Sequence, residues 1–226
     1  MSISIIIPVR NEEVAIGPCL DSLADCSDLE ILVVDGGSSD QTIHEIRKRG
    51  CKPLSSAPGR GKQQHTGAKV ASGDFFLFLH CDTRLPHNFS TYVRKILEQE
   101  GVAAGAFQLA INAQGLGYRI IAYSANLRSR LLKLPYGDQA LFMKKETYFA
   151  ANGFPDQPIL EELDLLSVLN NLGRIVIAPA YATTSARRWQ QHGIVKTTIV
   201  NQLMLAGWAM GISSKRLARL YYKKQK

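Results

Sequence analysis

Acidic residues are absent from the last part of this 226-residue chain. No aspartate or glutamate follows Asp164, although the 62 residues after it contain ten lysines and arginines. Residues 1–164 hold 17 basic and 19 acidic residues, so the net charge of +8 arises in the tail. This separation predicts an ordinary globular part followed by a cationic segment that favours an anionic partner.

The chain also lacks the cysteine and histidine patterns of zinc and disulfide-rich proteins. Its cysteines show no CxxC spacing and its five histidines no metal-ligand spacing, so we expect a reducing, cytoplasmic location. The apolar run at the N-terminus is short and has no basic segment before it, which favours a strand over a signal peptide. The cysteines are Cys19, Cys26, Cys51 and Cys81.

Nucleotide-binding motifs of other enzyme classes are incomplete here. A Walker A loop would need glycine at Ser56 and serine or threonine at Gln63. No GxGxxG follows the first apolar run, which argues against a nicotinamide-dependent dehydrogenase. His80 and Cys81 lack the HxE and PCxxC partners of a zinc deaminase.

No apolar run is long enough to predict a membrane span. The longest uncharged stretch, 197–214, is interrupted by Asn201 and Gln202, and a span needs about 20 mainly apolar residues. Residues 213–224 predict a basic amphipathic helix with Leu217, Leu220 and Tyr221 on one side. Such a helix suits an anionic bilayer. Packing on the domain or a homo-oligomer contact explains it equally well.

What the chain does contain is a regular alternation of strand and helix patterns. It predicts one α/β domain over residues 1–190 with a mainly parallel sheet, followed by a basic helical segment over 191–226. Expected strands are 2–8, 29–34, 51–55, 74–80, 103–110, 139–143 and 174–178. Expected helices are 11–24, 40–49, 62–72, 88–99, 116–132, 161–172, 194–212 and 213–224.

Aspartates follow the apolar strands near their carboxyl ends, where open α/β sheets bind ligands. Asp35 and Asp40 follow the second strand, and Asp82 follows the fourth. Such carboxylates can accept hydrogen bonds from a nucleoside or hold a hard divalent cation. Asp35 and Asp40 also fit turn and N-cap roles. For Asp35 and Asp82 we favour ligand binding, and for Asp40 both interpretations stand.

A second acidic group, residues 161–164 (EELD), opens a predicted helix. The helix dipole favours acids there, so a purely structural role is available. Three carboxylates in four residues nevertheless repel one another. Glu161 and Asp164 share a helix face, whereas Glu162 points elsewhere. One of them is a candidate general base.

Taken together, these segments resemble the family-2 glycosyltransferases of the GT-A fold. The similarity covers residues 2–190 in the family's order and is closest to a small single-domain bacterial subgroup with an LHADTRLP-like segment. Each motif alone is weak, and their joint occurrence carries the resemblance. The matching segments are residues 5–12 (IIIPVRNE), 33–42 (VVDGGSSDQT), 59–74, 77–83 (LFLHCDT), 137–139 (GDQ), 153–155 (GFP), 161–165 (EELDL) and 185–189 (SARRW).

The resemblance implies an inverting transfer of a sugar from a nucleotide-sugar, expected to be a UDP-sugar, to an acceptor hydroxyl. Asp82 is the implied ligand of Mg²⁺ or Mn²⁺, and Glu162 the implied base, with Asp164 as the alternative. Two departures from the family pattern stand out: His80 occupies the first position of DxD, and Glu162 replaces a shorter aspartate. Gly137, Asp138 and Gln139 are implied to line the acceptor pocket, and Arg188 and Trp189 to close over the diphosphate and the acceptor, although a core position explains Trp189 equally well. The other substrate-binding residues implied are Pro8, Arg10, Glu12, Asp35, Asp40, Arg60 and Gln63.

Two other functions remain open on the sequence. A nucleotidyltransferase that makes nucleotide-sugars shares the sheet and the metal chemistry, but residues 10–13 (RNEE) are not its glycine-rich loop. A non-catalytic module that binds nucleic acid or membrane through the basic tail leaves Asp82 and Glu162 unexplained. We therefore expect a small-molecule or lipid acceptor, with peripheral contact with an anionic membrane left open, and no nucleic-acid partner.

Overall fold

The computed structural model describes residues 1–24 and 29–225, with side chains described up to Tyr222. Within these residues eight strands form one sheet in the order β3-β2-β1-β4-β7-β6-β8-β5. The strands are β1 (Ile3–Val9), β2 (Leu29–Asp35), β3 (Leu54–Ser55), β4 (Phe75–Phe78), β5 (Thr83–Arg84), β6 (Val102–Asn112), β7 (Phe142–Lys144) and β8 (Arg174–Ser185).

Helices cover the sheet and extend beyond it at the C-terminus. A single 3₁₀ turn, Gly137–Gln139, precedes β7. The helices are α1 (Glu13–Asp21), α2 (Thr42–Lys48), α3 (Arg60–Val70), α4 (Phe89–Leu97), α5 (Leu116–Leu132), α6 (Lys145–Ala150), α7 (Glu161–Leu172), α8 (Arg187–His192), α9 (Ile194–Ala209) and α10 (Ser214–Gln225).

Strand β1 lies at the centre of the parallel half of the sheet. It pairs in parallel with β2 and β4, so Val9 and Asp35 end side by side. Ile5 and Ile7 pack into the apolar layer under α1, α2 and α4, while Ile6 packs on the other face under α3, α6 and α7. Burial on both faces explains why this strand is a continuous apolar run rather than an alternating one.

The expected α/β class with a mainly parallel sheet is confirmed, although the far half of the sheet is mixed. Strand β7 runs antiparallel to both β4 and β6, and β5 runs antiparallel to β8. Strand β8 continues to Ser185, well past the expected end at residue 178, because it pairs with the long β6. Three short elements, β5, α6 and α8, were absent from the sequence-based expectation.

Three of the four cysteines lie within the described residues. Cys19, Cys51 and Cys81 are free thiols, as expected, whereas Cys26 lies outside the described residues. The N-cap position of α1 is Glu12, so Asn11, the first residue of the predicted helix, lies before it. Asn11 has a positive φ of 54°, and its side-chain oxygen accepts a hydrogen bond from Ser39 N at 2.9 Å.

The C-terminal helices pack on the domain. Leu217 of α10 is buried against Val200 and Met204 of α9, next to Ile159 and Leu160 before α7. Across residues 1–24 and 29–225, no helix is both long and apolar enough to cross a membrane.

The close approach of α3 to the sheet yields a stability prediction. A Cβ on Gly67 would lie 2.6 Å from Ile6 Cγ2 and 3.0 Å from Val34 Cγ2. Gly67→Ala should therefore destabilise the protein by about 1–3 kcal/mol, although alanine is the better helix former by about 1 kcal/mol. Urea unfolding measures the difference. Gly117→Ala in α5 is the matched control, expected near neutral, because its Cβ meets only the Ile194 side chain at 3.2 Å.

Candidate active site

The loops after β1 and β2 are tied together by polar contacts at the carboxyl end of the sheet. Ser38 Oγ accepts from Asn11 N at 2.9 Å, and Thr42 Oγ1 accepts from Glu12 N at 2.7 Å. Asp40 accepts from Thr42 N at 3.0 Å and from Glu13 N at 3.2 Å. Asp40 therefore holds these loops together, which favours its structural interpretation.

Asp35 is nearly buried at the end of β2. Its carboxylate accepts hydrogen bonds from Gly37 N at 3.0 Å and from Ser38 N at 3.2 Å. Its two oxygens brace the turn after the strand, which is the arrangement expected of an aspartate in a tight turn. A contact from Asp35 to a nucleoside would share these oxygens with the turn.

Gln63 of α3 is buried beneath the same loops. Its Nε2 donates to Val9 O at 2.7 Å and to Val34 O at 2.8 Å. Both donor hydrogens of the amide are used on the backbone, one on each parallel strand. These two hydrogen bonds give Gln63 a structural role that fixes the two strand ends, and its contact with substrate stays a prediction. Pro8 likewise lies buried inside β1, opposite Val34, whereas Arg10 is exposed in the loop that follows.

Glu12 forms an ion pair that links the first loop to the start of α8. Arg187 Nη2 donates to Glu12 Oε2 at 2.8 Å and to Oε1 at 3.0 Å. The pair raises the pKa of Arg187, and the negative charge of nearby Asp82 contributes to the rise. Arg187 therefore lies near Asp82, whereas the resemblance had implied a role in closing over the diphosphate for its neighbour Arg188.

Arg188 faces the C-terminal helices instead. Its Nη2 contacts Asn201 Oδ1 at 3.3 Å, and its guanidinium carbon lies 5.0 Å from the centre of the Tyr221 ring. Trp189 is buried, and its indole nitrogen has no hydrogen-bond partner among the described residues. The two adjacent arginines of the SARRW segment therefore have different partners, Glu12 for Arg187 and Asn201 for Arg188.

His80 and Asp82 follow β4 and meet the 3₁₀ turn. A Cβ on Gly137 would lie 2.6 Å from His80 Nε2, so only glycine permits this contact. Burial, together with the charge of Arg60, holds the pKa of His80 well below its usual value, so the imidazole is neutral. Asp82 is anchored through its backbone, where Ser185 N donates to its oxygen at 3.0 Å, which leaves the half-buried carboxylate for a ligand.

Asp138 is the most perturbed carboxyl group of the turn. Its pKa is raised to about 6 because burial, the largest cause, and the charges of Glu162 and Asp82 disfavour ionisation, while Arg128 and Arg60 oppose them. Its Oδ1 is buried with no hydrogen-bond partner within the described part of the chain. An unpartnered buried carboxylate oxygen among charged groups is a typical feature of a ligand-binding position.

Gln139 does not line a pocket, contrary to expectation. It is fully buried, with Oε1 accepting from Ser129 Oγ at 2.7 Å and from Tyr136 N at 3.1 Å. Its Nε2 donates to Phe107 O at 2.9 Å. Gln139 therefore braces the 3₁₀ turn from below, and only Gly137 and Asp138 remain near the cleft.

The acidic start of α7 joins this cluster. Glu161 is buried, and burial and the charge of Glu162 raise its pKa to about 7, while Arg60 opposes them. Glu162 is half-buried and close enough to Asp138 and Tyr136 for its charge to raise the pKa of both. Glu162 therefore faces the same space as Asp138.

Asp164 has a different environment. Trp208 Nε1, from α9, donates to Asp164 Oδ1 at 2.6 Å. The alternative base is thus engaged by the C-terminal segment, and this contact links α9 to α7.

Arg60 connects the acidic groups. It begins α3, and a Cβ on the next residue, Gly61, would lie 2.8 Å from Pro155 O and 3.2 Å from Glu161 Cβ. Although burial opposes it, the charges of Glu161, Glu162 and Asp82 raise the pKa of Arg60, and Tyr221 contributes as well. The groups at 60, 82, 138 and 162 are therefore within electrostatic reach of one another.

The sequence reasoning missed three members of this group. Arg187 was passed over for its neighbour, and Arg128 and Tyr136 were not considered. Arg128 lies 3.6 Å from the centre of the Tyr136 ring and donates from Nε to Leu134 O at 3.0 Å. No sequence signal marks this pair, because the two residues meet only through the turn after α5.

A divalent metal would find few protein ligands here. Nowhere in residues 1–24 and 29–225 do three histidine, cysteine, aspartate or glutamate side chains form a ready-made metal site. Asp82 nevertheless fits a Mg²⁺-type ion, which is commonly held by one or two carboxylates together with substrate phosphates and water.

Solved structures show the class of fold to which this arrangement belongs. Glucosyl-3-phosphoglycerate synthase from Mycobacterium tuberculosis, in complex with Mg²⁺ and uridine diphosphate, matches with a TM-score of 0.59 and 21% identity over 81% of this chain and 69% of that chain. A second structure of that protein holds Mn²⁺ and UDP-glucose. The chain therefore has the GT-A fold, as the resemblance implied.

Sequence relatives identify the family. The model described as "Glycosyl transferase family 2" matches residues 4–154, and this chain belongs to that family. A dolichyl-phosphate-linked glucuronosyltransferase from Methanococcus voltae is 28% identical over 73% of this chain and 56% of its own length. A mycobacterial PGL/p-HBAD biosynthesis glycosyltransferase from Mycobacterium bovis is 34% identical over 36% of each chain. The chain thus spans about half or less of these relatives.

The pKa of Glu161 predicts a pH-dependent stability. Its carboxyl pKa is about 7 in the folded protein and 4.5 when unfolded, so folding favours the protonated form. This contribution is complete below pH 4.5 and is lost as pH rises through 7, at a cost on the order of 3 kcal/mol. Glu161→Gln should flatten the profile from urea unfolding at pH 5 to 8. The exposed Glu146→Gln is the control, and an unchanged slope in Glu161→Gln would contradict the assignment.

The contact between Trp208 and Asp164 gives a second prediction. Trp208→Phe removes the indole donor and should cost about 1.5–3 kcal/mol of unfolding free energy, since hydrogen bonds to charged groups are worth about that much. A double-mutant cycle with Asp164→Asn isolates the pair, and additive effects of the two changes would refute the contact.

Proposed function

We propose that this protein transfers a sugar from a UDP-sugar to an acceptor hydroxyl with inversion at the anomeric carbon. The observation that carries the proposal is the group formed by Asp82, Asp138, Glu162 and Arg60 at the carboxyl edge of the sheet. It offers a metal ligand, a base and a cation within one charged environment. A family-2 chain with a GT-A fold supplies the context, since the related enzymes carry glycosyltransferase names.

Asp82 is the proposed protein ligand for Mg²⁺ or Mn²⁺, with the donor's diphosphate completing the site. When bound, the ion neutralises the negative charge that develops on the leaving diphosphate. Arg60 and Arg187 add positive charge near Asp82. Fixed positive groups aimed at a developing anion are an effective form of electrostatic stabilisation. Arg188 is a weaker candidate for this role, because it contacts Asn201 and Tyr221 instead.

Glu162 is the proposed general base. Asp164, the alternative, is engaged by Trp208, whereas Glu162 faces Asp138. Its carboxylate would accept the proton of the acceptor hydroxyl while that oxygen attacks the anomeric carbon. Asp138 and Gly137 lie on the same side and would contact the acceptor. The buried Trp189 stays a candidate for closing over it.

On the donor side, Asp35 is the proposed contact for the nucleoside. It ends β2 directly beside the β1 loop that carries Arg10. The hydrogen bonds that hold Asp35 in its turn would fix its position before the ligand arrives. Asp40, Gln63 and Pro8 act here through the shape of the loops rather than by direct contact.

The acceptor is proposed as a small molecule or a lipid-linked sugar. Structures of glucosyl-3-phosphoglycerate synthase hold phosphoglyceric acid, and the archaeal relative is named for a dolichyl-phosphate-linked substrate. A cytoplasmic protein in peripheral contact with an anionic membrane would serve the lipid-linked case. Self-association remains compatible with either acceptor.

The metal step is tested by release of UDP from a panel of UDP-sugars. We expect release by the wild-type chain to need Mn²⁺ or Mg²⁺ and to fall at least about 100-fold in Asp82→Ala, since the leaving group loses its counter-charge. Metal-independent release that survives the substitution counts against the proposal. Turnover of pyrophosphate instead of UDP indicates a nucleotidyltransferase.

The base assignment is tested by two matched amide substitutions. Glu162→Gln should lower kcat by about 10²–10⁴, the usual contribution of a general base, and leave UDP binding by calorimetry unchanged. Asp164→Asn should reduce kcat far less, because this carboxylate is bonded to Trp208. A reversed order of the two effects would make Asp164 the base.

A further inference from the structure

Helix α5 exposes an apolar stripe along its whole length. Five large apolar residues repeat at helical spacing on one side, and their exposed fractions run from 44% to 71%. Such a stripe normally faces a protein core. Here it faces outward, which marks an interaction surface. The α5 stripe consists of Leu116, Ile120, Tyr123, Leu127 and Leu131.

Helix α9 carries a second exposed stripe next to the first. Val195, Ile199 and Leu203 are 70%, 53% and 46% exposed, while the opposite side of α9 is buried. The two helices touch where Gly117 meets Ile194. The α5 stripe and the α9 stripe therefore lie on adjoining helices.

The charge around these stripes has one sign. No acidic residue occurs between Glu100 and Asp138 or after Asp164. Exposed lysines and arginines occur on helices α5, α9 and α10 and on the turn after α5. They are Arg119, Arg130, Lys133, Lys196, Lys215, Arg216 and Arg219.

We infer that the α5 and α9 stripes dock on an anionic phospholipid bilayer surface. Apolar side chains beside lysine and arginine are the combination that holds helices at the headgroup boundary. A second copy of this chain is a poorer partner, because a two-fold contact would bring the same acid-free, cationic surfaces together.

The surface differs from the one that the sequence pointed to. Leu217 of α10 is buried under α9, and Ala218 is buried beside it, so part of the apolar side of α10 is already covered, although Leu220 is 49% exposed. Helix α10 then contributes cations, and α5 and α9 contribute the apolar contact.

The location of α5 gives the docking a consequence for the reaction. The helix ends at Leu132, five residues before Gly137, and its Arg128 packs on Tyr136, which lies between them. This inference rests on the proposed function to the extent that a docked α5 would place the acceptor side of the site close to a lipid-linked acceptor.

Co-sedimentation of the full chain with vesicles tests the inference. Vesicles of phosphatidylcholine alone are compared with vesicles containing one-third phosphatidylglycerol, at about 0.1 M salt. We expect at least about tenfold stronger binding to the anionic vesicles, since each cation near the surface adds to it. Ile120→Ser with Tyr123→Ser should weaken this binding at least about tenfold through lost apolar contact.

The matched control is Val70→Ser with Leu172→Ser, which removes two similarly exposed apolar residues from the ends of α3 and α7. It should bind vesicles as the wild type does. The inference is overturned if the wild type ignores anionic vesicles, if both double variants bind equally, or if sedimentation velocity without lipid shows a wild-type dimer that only the α5 variant dissociates. Binding of UDP with Mn²⁺ is measured separately and reports on the proposed function. Vesicle binding without UDP binding would therefore contradict the proposed function and leave the docking inference standing.

Discussion

The crowding of carboxylates around Arg60 is the constraint on which the rest of the site depends. Asp82, Asp138, Glu161 and Glu162 come from three separate segments, and burial together with the negative charges of their neighbours disfavours ionisation of Asp138 and Glu161. Arg60 and Arg128 offset part of that cost. A ligand that brings a divalent cation would offset much of the remainder. Without a ligand, the site therefore has an excess of negative charge, which the proposed metal, bound together with the donor, would balance.

Many polar residues of the motifs hold the backbone rather than face the cleft. Asp35, Asp40, Gln63 and Gln139 all direct hydrogen bonds to neighbouring loops and strand ends. Such contacts fix the loops before a ligand arrives. The side chains of a site are held in position only as well as the residues packed around them allow. A motif residue can thus be essential to a family without touching a substrate.

The sequence predicted the parallel half of the sheet well because its strands are buried on both faces and read as continuous apolar runs. It did equally well for α5 and α7, whose bounds match, since long periodic helices give a strong pattern. It failed where tertiary contacts decide. Whether Arg187 or Arg188 turns to the sheet edge depends on the partner that each finds, Glu12 or Asn201, and these lie far away along the chain.

The C-terminal helices contact the acidic cluster on one side and carry exposed apolar residues on the other. On the inner side, Trp208 holds Asp164 and Tyr221 lies near Arg60, so these helices help to form the wall of the acidic cluster. On the outer side, α9 continues the apolar surface of α5. Both sides belong to helix α9. An interaction on its outer side therefore acts on the same helix that restrains Asp164 through Trp208. If docking shifts α9 at all, the contact between Trp208 and Asp164 is the first that would register it.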